Sequence, residues 1–239
     1  MKYKIIIPAR YNSTRLPGKP LKKIGGIPLV IKTAMNCTNV FDKSLIVICT
    51  DDERIRHECE KYSFKWSMTS AKCLTGMDRV SEFASKDDAS YYVNVQGDEP
   101  FIHKNDLLAV KKLLDNQLVD TFNCYTRIDN LEEFLSSSIP KIVKSSSGKL
   151  MYISRGPIPS SKTHNSTYGN KQVCIYGLHR DILTKYYGLN SKKTYNEEIE
   201  DIEIIRLLDN DIAVNMVKLS HPSFSIDTKD DLNRANDVN

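Results

Sequence analysis

Ile5-Ile-Ile-Pro-Ala-Arg-Tyr-Asn-Ser-Thr-Arg-Leu-Pro-Gly-Lys-Pro20 runs from an apolar, β-branched stretch into a loop with three cations. Ile5 to Ile7 reads as a buried central strand that breaks at Pro8, and Arg10, Arg15 and Lys19 follow just past its carboxyl end. In open α/β sheets ligands bind at that edge, and three cations with two prolines and a glycine suit a polyphosphate. A solvated basic loop is the plain alternative. The position after a buried strand favours the functional reading.

Outward from this stretch the same unit recurs. Gly25-Gly26 makes a turn and Pro28 opens a helix carrying Leu29, Val30, Ile31 and Met35. Ser44 to Thr50 is a second buried strand, and Asp51-Asp52 cap a helix in which Ile55 and Cys59 stand four apart. Phe64 to Met68 reads as a third strand, Asp78 to Lys86 as a helix, and Tyr91 to Val95 as a fourth strand ending in Gln96-Gly-Asp-Glu-Pro100. Strands alternating with helices predict an α/β fold with a mostly parallel central sheet flanked by helices.

The second half is less regular. Asn105 is expected to cap a helix running to about Asn116, and Thr121 to Arg127 has strand composition. Ile139 to Lys144 and Lys149 to Ser154 flank a Ser-Ser-Ser-Gly turn and predict a hairpin inside a β-rich insertion at about 125–180. Gly156 to Asn170 reads as a mobile polar loop, with β pattern resuming at Val173 to Tyr176. Asn196 is expected to cap one helix with Ile199, Ile202, Ile205 and Leu208 on a single face. Ala213 to Val217 reads as a late strand, and Asp227 precedes a terminal helix. The whole is expected to be a single domain of 239 residues.

Composition narrows the classes. The net charge of +4, from 34 basic and 30 acidic residues, is too balanced for a non-specific nucleic-acid binder. The six cysteines lack Cys-x-x-Cys spacing and fit reduced thiols in a cytoplasm. The amino terminus enters directly into a strand without a secretory pattern, and no apolar run reaches the length of a bilayer span. A cytoplasmic protein without membrane or nucleic-acid partners is expected.

Asp98, like the basic loop, follows a buried strand and faces the same crevice. Its plain reading is a counter-ion for the cations; its functional reading is a Mg²⁺ ligand, because Mg²⁺ takes one or two carboxylates with phosphate oxygens and water. Asp227 is the candidate second ligand, with a helix N-cap as the alternative. There is no Gly-x-x-x-x-Gly-Lys-Ser/Thr loop, no Gly-x-Gly-x-x-Gly fingerprint and no Gly-x-Ser-x-Gly elbow. The five histidines show no metal-ligand pattern. Phosphoryl or nucleotidyl transfer aided by Mg²⁺ and cations is what these residues leave.

Pro8 to Pro20 and Asn94-Val-Gln-Gly-Asp-Glu-Pro100 closely resemble the two signatures of the CMP-Kdo synthetases, the 3-deoxy-manno-octulosonate cytidylyltransferases. Met68-Thr69, Thr75-Gly76 with Arg79, Tyr152 with Ser154-Arg155, Ile175-Tyr-Gly177, and Asp227-Thr228 followed by Asp231-Leu232 extend the resemblance along nearly the whole chain. It implies a nucleotide-diphospho-sugar transferase-like fold with a β-rich dimerisation element, hence a homodimer. It also implies a reaction, in which CTP and an acidic 3-deoxy sugar give the CMP-sugar and pyrophosphate for lipopolysaccharide or capsule assembly.

The resemblance further implies roles. Arg10, Arg15 and Lys19 hold the triphosphate, with Arg10, Lys19 and Asp98 as the catalytic set, and Asp98 and Asp227 hold Mg²⁺. Ser70, Thr75 and Asp78 frame the cytidine, and Gln96 lies between nucleotide and sugar. Arg155, Gln172, Tyr176, Glu197 and Glu200 face the sugar, Arg155 as a bidentate partner of its carboxylate.

Departures from the family pattern cluster around base and sugar. Ser70 stands where Arg is usual, Cys73 where His is usual, and Lys171-Gln172 where Arg-His is usual. Loss of a charged or protonatable donor changes affinity by ~1–3 kcal/mol, enough to move preference between close analogues. An 8-amino analogue of Kdo, or another acidic sugar, is therefore the second expectation for the substrate. A catalytically silent sugar-nucleotide binding protein is the reading from another class, and retention of Lys19, Asp98 and Asp227 opposes it.

Overall fold

The computed structural model describes residues 2–13, 15–116, 120–162, 169–188, 191–222 and 224–237. Strand β1 (Tyr3–Ala9) is followed by the basic loop and the small ribbon β2 (Lys23–Ile24) and β3 (Ile27–Pro28), which leads into α1 (Leu29–Cys37). Then come β4 (Ile46–Thr50), α2 (Glu53–Lys61), β5 (Lys65–Met68), α3 (Gly76–Ala84), β6 (Tyr91–Val95) and α4 (Lys104–Asp115). Asp52 caps α2 by accepting from the Arg54 amide. A capping box between Thr75 and Asp78 opens α3.

The rest of the chain gives β7 (Thr121–Ile128), α5 (Leu131–Leu135), the hairpin β8 (Lys141–Lys144) and β9 (Leu150–Ser154), and β10 (Gly169–His179). After them lie α6 (Arg180–Tyr186), α7 (Tyr195–Glu200), α8 (Ile205–Leu208), β11 (Asn215–Lys218) and α9 (Lys229–Asp237).

One sheet runs in the order β11-β7-β10-β6-β1-β4-β5. Strands β1, β4, β5 and β6 are parallel, β11 is parallel to β7, and β10 is wedged antiparallel between β6 and β7. The mostly parallel sheet flanked by helices is thus as the alternation predicts. The predicted hairpin is present, and β8 joins it to the main sheet through β10. Within 125–180, β7 and β10 are therefore strands of the central sheet.

β1 explains why this sheet is covered on both faces. Ile5 and Ile7 belong to one cluster with Val30, Ile31 and Ala34 of α1, Ile55 of α2 and Val110 of α4. Ile6 belongs to the other, with Met77, Val80 and Ala84 of α3 and Leu183 of α6. All three are fully buried. Alternation of side chains across a strand makes a continuous apolar run the mark of such a position, and each isoleucine contributes ~1.5–3 kcal/mol.

Three expectations need correction. The cap of α4 is His103, whose side chain accepts from the Asn105 amide, so Asn105 is already inside the helix. β10 begins at Gly169, four residues before Val173, because Asn170 and Lys171 pair with β8 as well as β7. Of the expected loop, residues 163–168 lie outside the described residues. The single helix from Asn196 is two: Thr194 caps α7, Asp201 takes φ 49 at its end, and α8 starts only at Ile205. All six cysteines are unpaired. No helix among the described residues is long and apolar enough to cross a membrane.

Candidate active site

Two turns meet at the carboxyl ends of β1 and β6. Their approach requires Gly97, where a Cβ would stand 3.0 Å from the Pro8 carbonyl oxygen. The Gly97 carbonyl in turn accepts from Thr33 Oγ1 on α1 at 3.0 Å. The Ile226 amide donates to the Asp98 carbonyl at 3.0 Å, which carries the segment before α9 to the same place. Asp231 Oδ2 accepts from the amides of Asp227 and Thr228, fixing that segment as α9 opens.

These contacts deliver a compact charge cluster. Lys19 Nζ lies 2.5 Å from Asp98 Oδ2 and 3.0 Å from Asp227 Oδ1, and Arg15 Nη2 lies 2.9 Å from the same Asp227 oxygen. Burial alone would lower the Lys19 pKa, but the charges and hydrogen bonds of Asp98 and Asp227 outweigh it and raise the pKa above its usual value. Lys19 is therefore a fixed cation. Arg10 is exposed at the same mouth.

The cluster forms one end of a cavity of about 770 Å³. Arg10, Arg15, Lys19, Thr75, Gln96, Asp98, Arg155, Gln172, Tyr176, Glu197 and Asp227 line it, bringing together most residues singled out in the sequence. Ser70, Asp78 and Glu200 do not line it. The Ser70 amide donates to Glu82 Oε2 at 2.7 Å. Glu200 Oε2 accepts from the Arg155 amide at 2.8 Å.

Asp78 is fully buried and serves two masters inside the protein. Its Oδ2 accepts from Thr75 at the start of α3, and its Oδ1 accepts from Arg206 Nη1 at 2.7 Å. Burial opposes ionisation, but Arg206, Ser191 and Thr75 hold its carboxyl below the usual range. Glu197 is also fully buried and takes both arms of the Arg206 fork, at 2.7 and 2.8 Å. Both acids are thus saturated by protein partners, at odds with direct roles at cytidine and sugar.

Arg155 is held by backbone: Nε donates to the Glu200 carbonyl at 2.6 Å, Nη1 to Ser137 and Nη2 to Asp201, each at 3.0 Å. Three of its five N–H donors are spent on carbonyls, which fixes the guanidinium and leaves one N–H on each terminal nitrogen for a carboxylate. Gln172 Nε2 donates to Asn123 Oδ1 at 3.0 Å, and Lys171 Nζ reaches both oxygens of Glu133 at 2.9 Å. Cys73 lines the cavity beside Glu82, and burial pushes its thiol up to about 12.

Glu203 was not singled out as a site residue. It lines the cavity, accepts from Gln96 Nε2 at 2.7 Å through Oε1, and accepts from the Met77 amide at 2.9 Å through Oε2. Burial pushes its carboxyl up to about 7, with the Met77 amide pulling the other way. In the sequence its only mark is the i, i+3 spacing of Glu197, Glu200 and Glu203, which does not tell a cleft acid from a surface one. Lys193 and Asp201, paired at 2.6 Å, line the cavity as well.

A sequence profile described as Cytidylyltransferase matches residues 4–217. The 3-deoxy-manno-octulosonate cytidylyltransferase of Thermodesulfovibrio yellowstonii is 33% identical over 246 residues, covering 96% of this chain and 95% of its own. The protein of the same name from Geotalea uraniireducens is 34% identical over 247 residues, 98% of either chain. A solved structure of CMP:2-keto-3-deoxy-manno-octonic acid synthetase complexed with CTP matches with a TM-score of 0.88 at 29% identity, over 100% of this chain and 98% of that one. With the profile spanning most of the chain and the relatives aligned end to end, this protein belongs to the cytidylyltransferase family and is a nucleotidyltransferase of the 3-deoxy-manno-octulosonate cytidylyltransferase type.

Proposed function

We propose that the protein activates Kdo, or a closely related 3-deoxy-ulosonic acid, with CTP to give the CMP-sugar and pyrophosphate for lipopolysaccharide or capsule assembly. The observation that carries this reading is Lys19 held between Asp98 and Asp227, with Arg15 beside them, at one end of a cavity large enough for nucleotide and sugar. In the transfer, the anomeric hydroxyl oxygen bonds to the α-phosphorus as the bond to the β-phosphate oxygen breaks. The hydroxyl proton leaves as the new bond forms, and Asp98 is one candidate acceptor. Arg10, Arg15 and Lys19 take the charge that grows on the departing pyrophosphate. Positioning and charge stabilisation suffice for the step, which proceeds without a covalent intermediate on the protein.

Asp98 and Asp227 fit Mg²⁺. Both reach one ammonium nitrogen, at 2.5 and 3.0 Å, so the two carboxylates face a common point. Mg²⁺ takes one or two carboxylates and completes its shell from water and phosphate oxygens. When bound, Mg²⁺ supplies positive charge to the phosphate oxygens.

On the sugar side, Gln172 and Lys171 in place of the family's His and Arg support a close analogue of Kdo, such as its 8-amino form, as the alternative substrate. A second copy of this chain is the expected partner, docked at the hairpin. The outer edge of β9 bonds to the segment before β11 at its start, where the Leu150 amide donates to the Val214 carbonyl at 2.8 Å, and among the described residues it pairs with no further named strand; Met151 on β9 and Ile199 on α7 are 61% and 64% exposed. Light scattering on a sizing column checks the dimer, and a monomer at working concentration refutes it.

Pyrophosphate release from CTP and Mg²⁺, measured in parallel with Kdo, 8-amino-Kdo and a sialic acid, tests the reaction. Turnover with one of the octulosonates establishes reaction and substrate together. Tight CTP binding without release for any acidic sugar would instead identify a silent binding protein.

A further inference from the structure

Three buried charged side chains, of which Glu197 also borders the cleft, touch neither the cations nor the carboxylates of the triphosphate end. Arg206 is 2% exposed, and Asp78 and Glu197 are fully buried. Arg206 joins them: Nη1 to Asp78 on α3, and Nε with Nη2 to the two oxygens of Glu197 on α7. Ser191 Oγ donates to Asp78 Oδ1 and accepts from Arg206 Nη1, both at 2.8 Å, and the guanidinium lies 4.5 Å from the Tyr187 ring centre. Burial of three charges costs much of what their pairing returns, so such a triad is weak evidence for stability and better evidence for a fixed geometry.

The geometry it fixes leads to the cleft. Asp78 is the third residue of α3, and the amide of its neighbour Met77 donates to Glu203 Oε2. Glu203 stands one turn before Arg206, whose amide donates to the Glu203 carbonyl at 3.3 Å. The chain from Arg206 to Asp78, Met77, Glu203 and back to Arg206 is therefore a closed circuit, and Glu203 Oε1 leaves it to accept from Gln96 Nε2. Opening the circuit at Arg206 loosens α3 against the segment between α7 and α8, which the Tyr187 hydroxyl then holds only through the Glu203 carbonyl, and among the described residues Glu203 is the side-chain anchor of the Gln96 amide.

We propose that Arg206 is a positioning residue for the transfer: by clamping Asp78 to Glu197 it sets Glu203 against the Met77 amide, and so fixes which atoms Gln96 turns toward the cleft. This rests on the reaction proposed above, with Gln96 lying between nucleotide and sugar. Arg206 touches neither substrate, and its effect passes through Gln96.

A double-mutant cycle tests the coupling. Arg206→Lys keeps a buried cation but loses the fork, and it is expected to raise the sugar KM about tenfold while CTP affinity without sugar stays within about twofold. Gln96→Ala removes the group being positioned. Arg206→Lys added to Gln96→Ala is expected to cost less than a further twofold in kcat/KM, because nothing remains to misplace. A fall in melting temperature with additive losses in the cycle would overturn the inference and leave Arg206 a structural residue only. If Arg206→Lys does not fold, Ser191→Ala removes one contact to each of Asp78 and Arg206 while leaving the ion pairs. A sugar KM raised two- to fivefold, absent in the Gln96→Ala background, is then the expected result, and an unchanged KM overturns it. A wild-type protein that releases no pyrophosphate would sink the reaction and this inference together; an active wild type with additive losses would sink this inference alone.

Discussion

Lys19 and Asp98 meet at 2.5 Å although 79 positions separate them in the chain. The contact exists because β1 and β6 are parallel neighbours whose ends release both residues at one edge. The pair is an ion pair in this structure, and in the function proposed above Asp98 is also a ligand of Mg²⁺. Asp98→Asn preserves the volume and removes the charge, and it is expected to lower pyrophosphate release at least about 100-fold, or ~2.7 kcal/mol in barrier. The circular dichroism spectrum should be unchanged. Full activity over a Mg²⁺ titration would remove Asp98 from the metal site.

Lys19 remains charged across the working pH range because the two acids that flank it raise its pKa. Its positive charge matters most as pyrophosphate departs, so Lys19→Ala is expected to cut kcat about 100-fold and leave the sugar KM within about twofold. Steady-state kinetics with each substrate varied separates these constants. A variant with a raised sugar KM and normal kcat would place Lys19 in sugar binding instead.

Gln172 sits where β10 lines the cavity, its amide tied to Asn123 and only 8% exposed. Gln172→His introduces a ring that presents its nitrogens in another direction. The ratio of kcat/KM between Kdo and 8-amino-Kdo is expected to change about tenfold, with CTP KM unaltered. An unchanged ratio would put this position outside sugar recognition.

The cationic end of the site, proposed to take the triphosphate, is legible because its signals are local. Ile5 to Ile7 announce a strand covered on both faces, and the charged residues after it follow within a few positions. The sugar end is not. Ile199, Ile202, Ile205 and Leu208 keep helical spacing, yet the helix breaks at Asp201 and leaves Ile199 64% exposed. Glu203 is bound to the Met77 amide and Arg206 to Asp78, partners 126 and 128 positions away. Periodicity reports what one element does with its own face and carries no trace of a carboxylate captured by another helix. The cytidine role of Asp78 is implied by the family resemblance alone, and its bonds to Thr75 and Arg206 are long-range or capping contacts that the resemblance does not display.

Gly177 leaves no room for a side chain against its neighbouring strand. A Cβ there would stand 2.1 Å from Phe122 Cε1 on the neighbouring strand β7, and Phe122 is itself fully buried. The ring cannot turn aside in a filled core, so Gly177→Ala is expected to cost about 1–3 kcal/mol or more. Denaturant unfolding followed by circular dichroism measures the loss. Wild-type stability would mean that the Phe122 ring has room that the packing does not show.

Glu203 gives the protein a pH signature of its own. Burial holds its carboxyl at about 7 in place of 4.5, with Asp78 and Glu197 adding to the rise and the Met77 amide opposing it. Between those values the folded protein keeps a proton that the unfolded chain has released, so the contribution to stability is full below 4.5 and is lost as pH rises through 7. Glu203→Gln is neutral at every pH and removes this slope. Melting curves from pH 4.5 to 7.5 should therefore show the wild type losing up to ~3 kcal/mol relative to the variant. Parallel curves would mean an ordinary carboxyl. The same titration reaches Gln96, because an ionised Glu203 is only an acceptor and holds Nε2 toward itself, whereas a protonated one also donates and lets the amide turn over. Pyrophosphate release by the wild type is then expected to fall below pH 7, and Glu203→Gln should lack that limb of the profile.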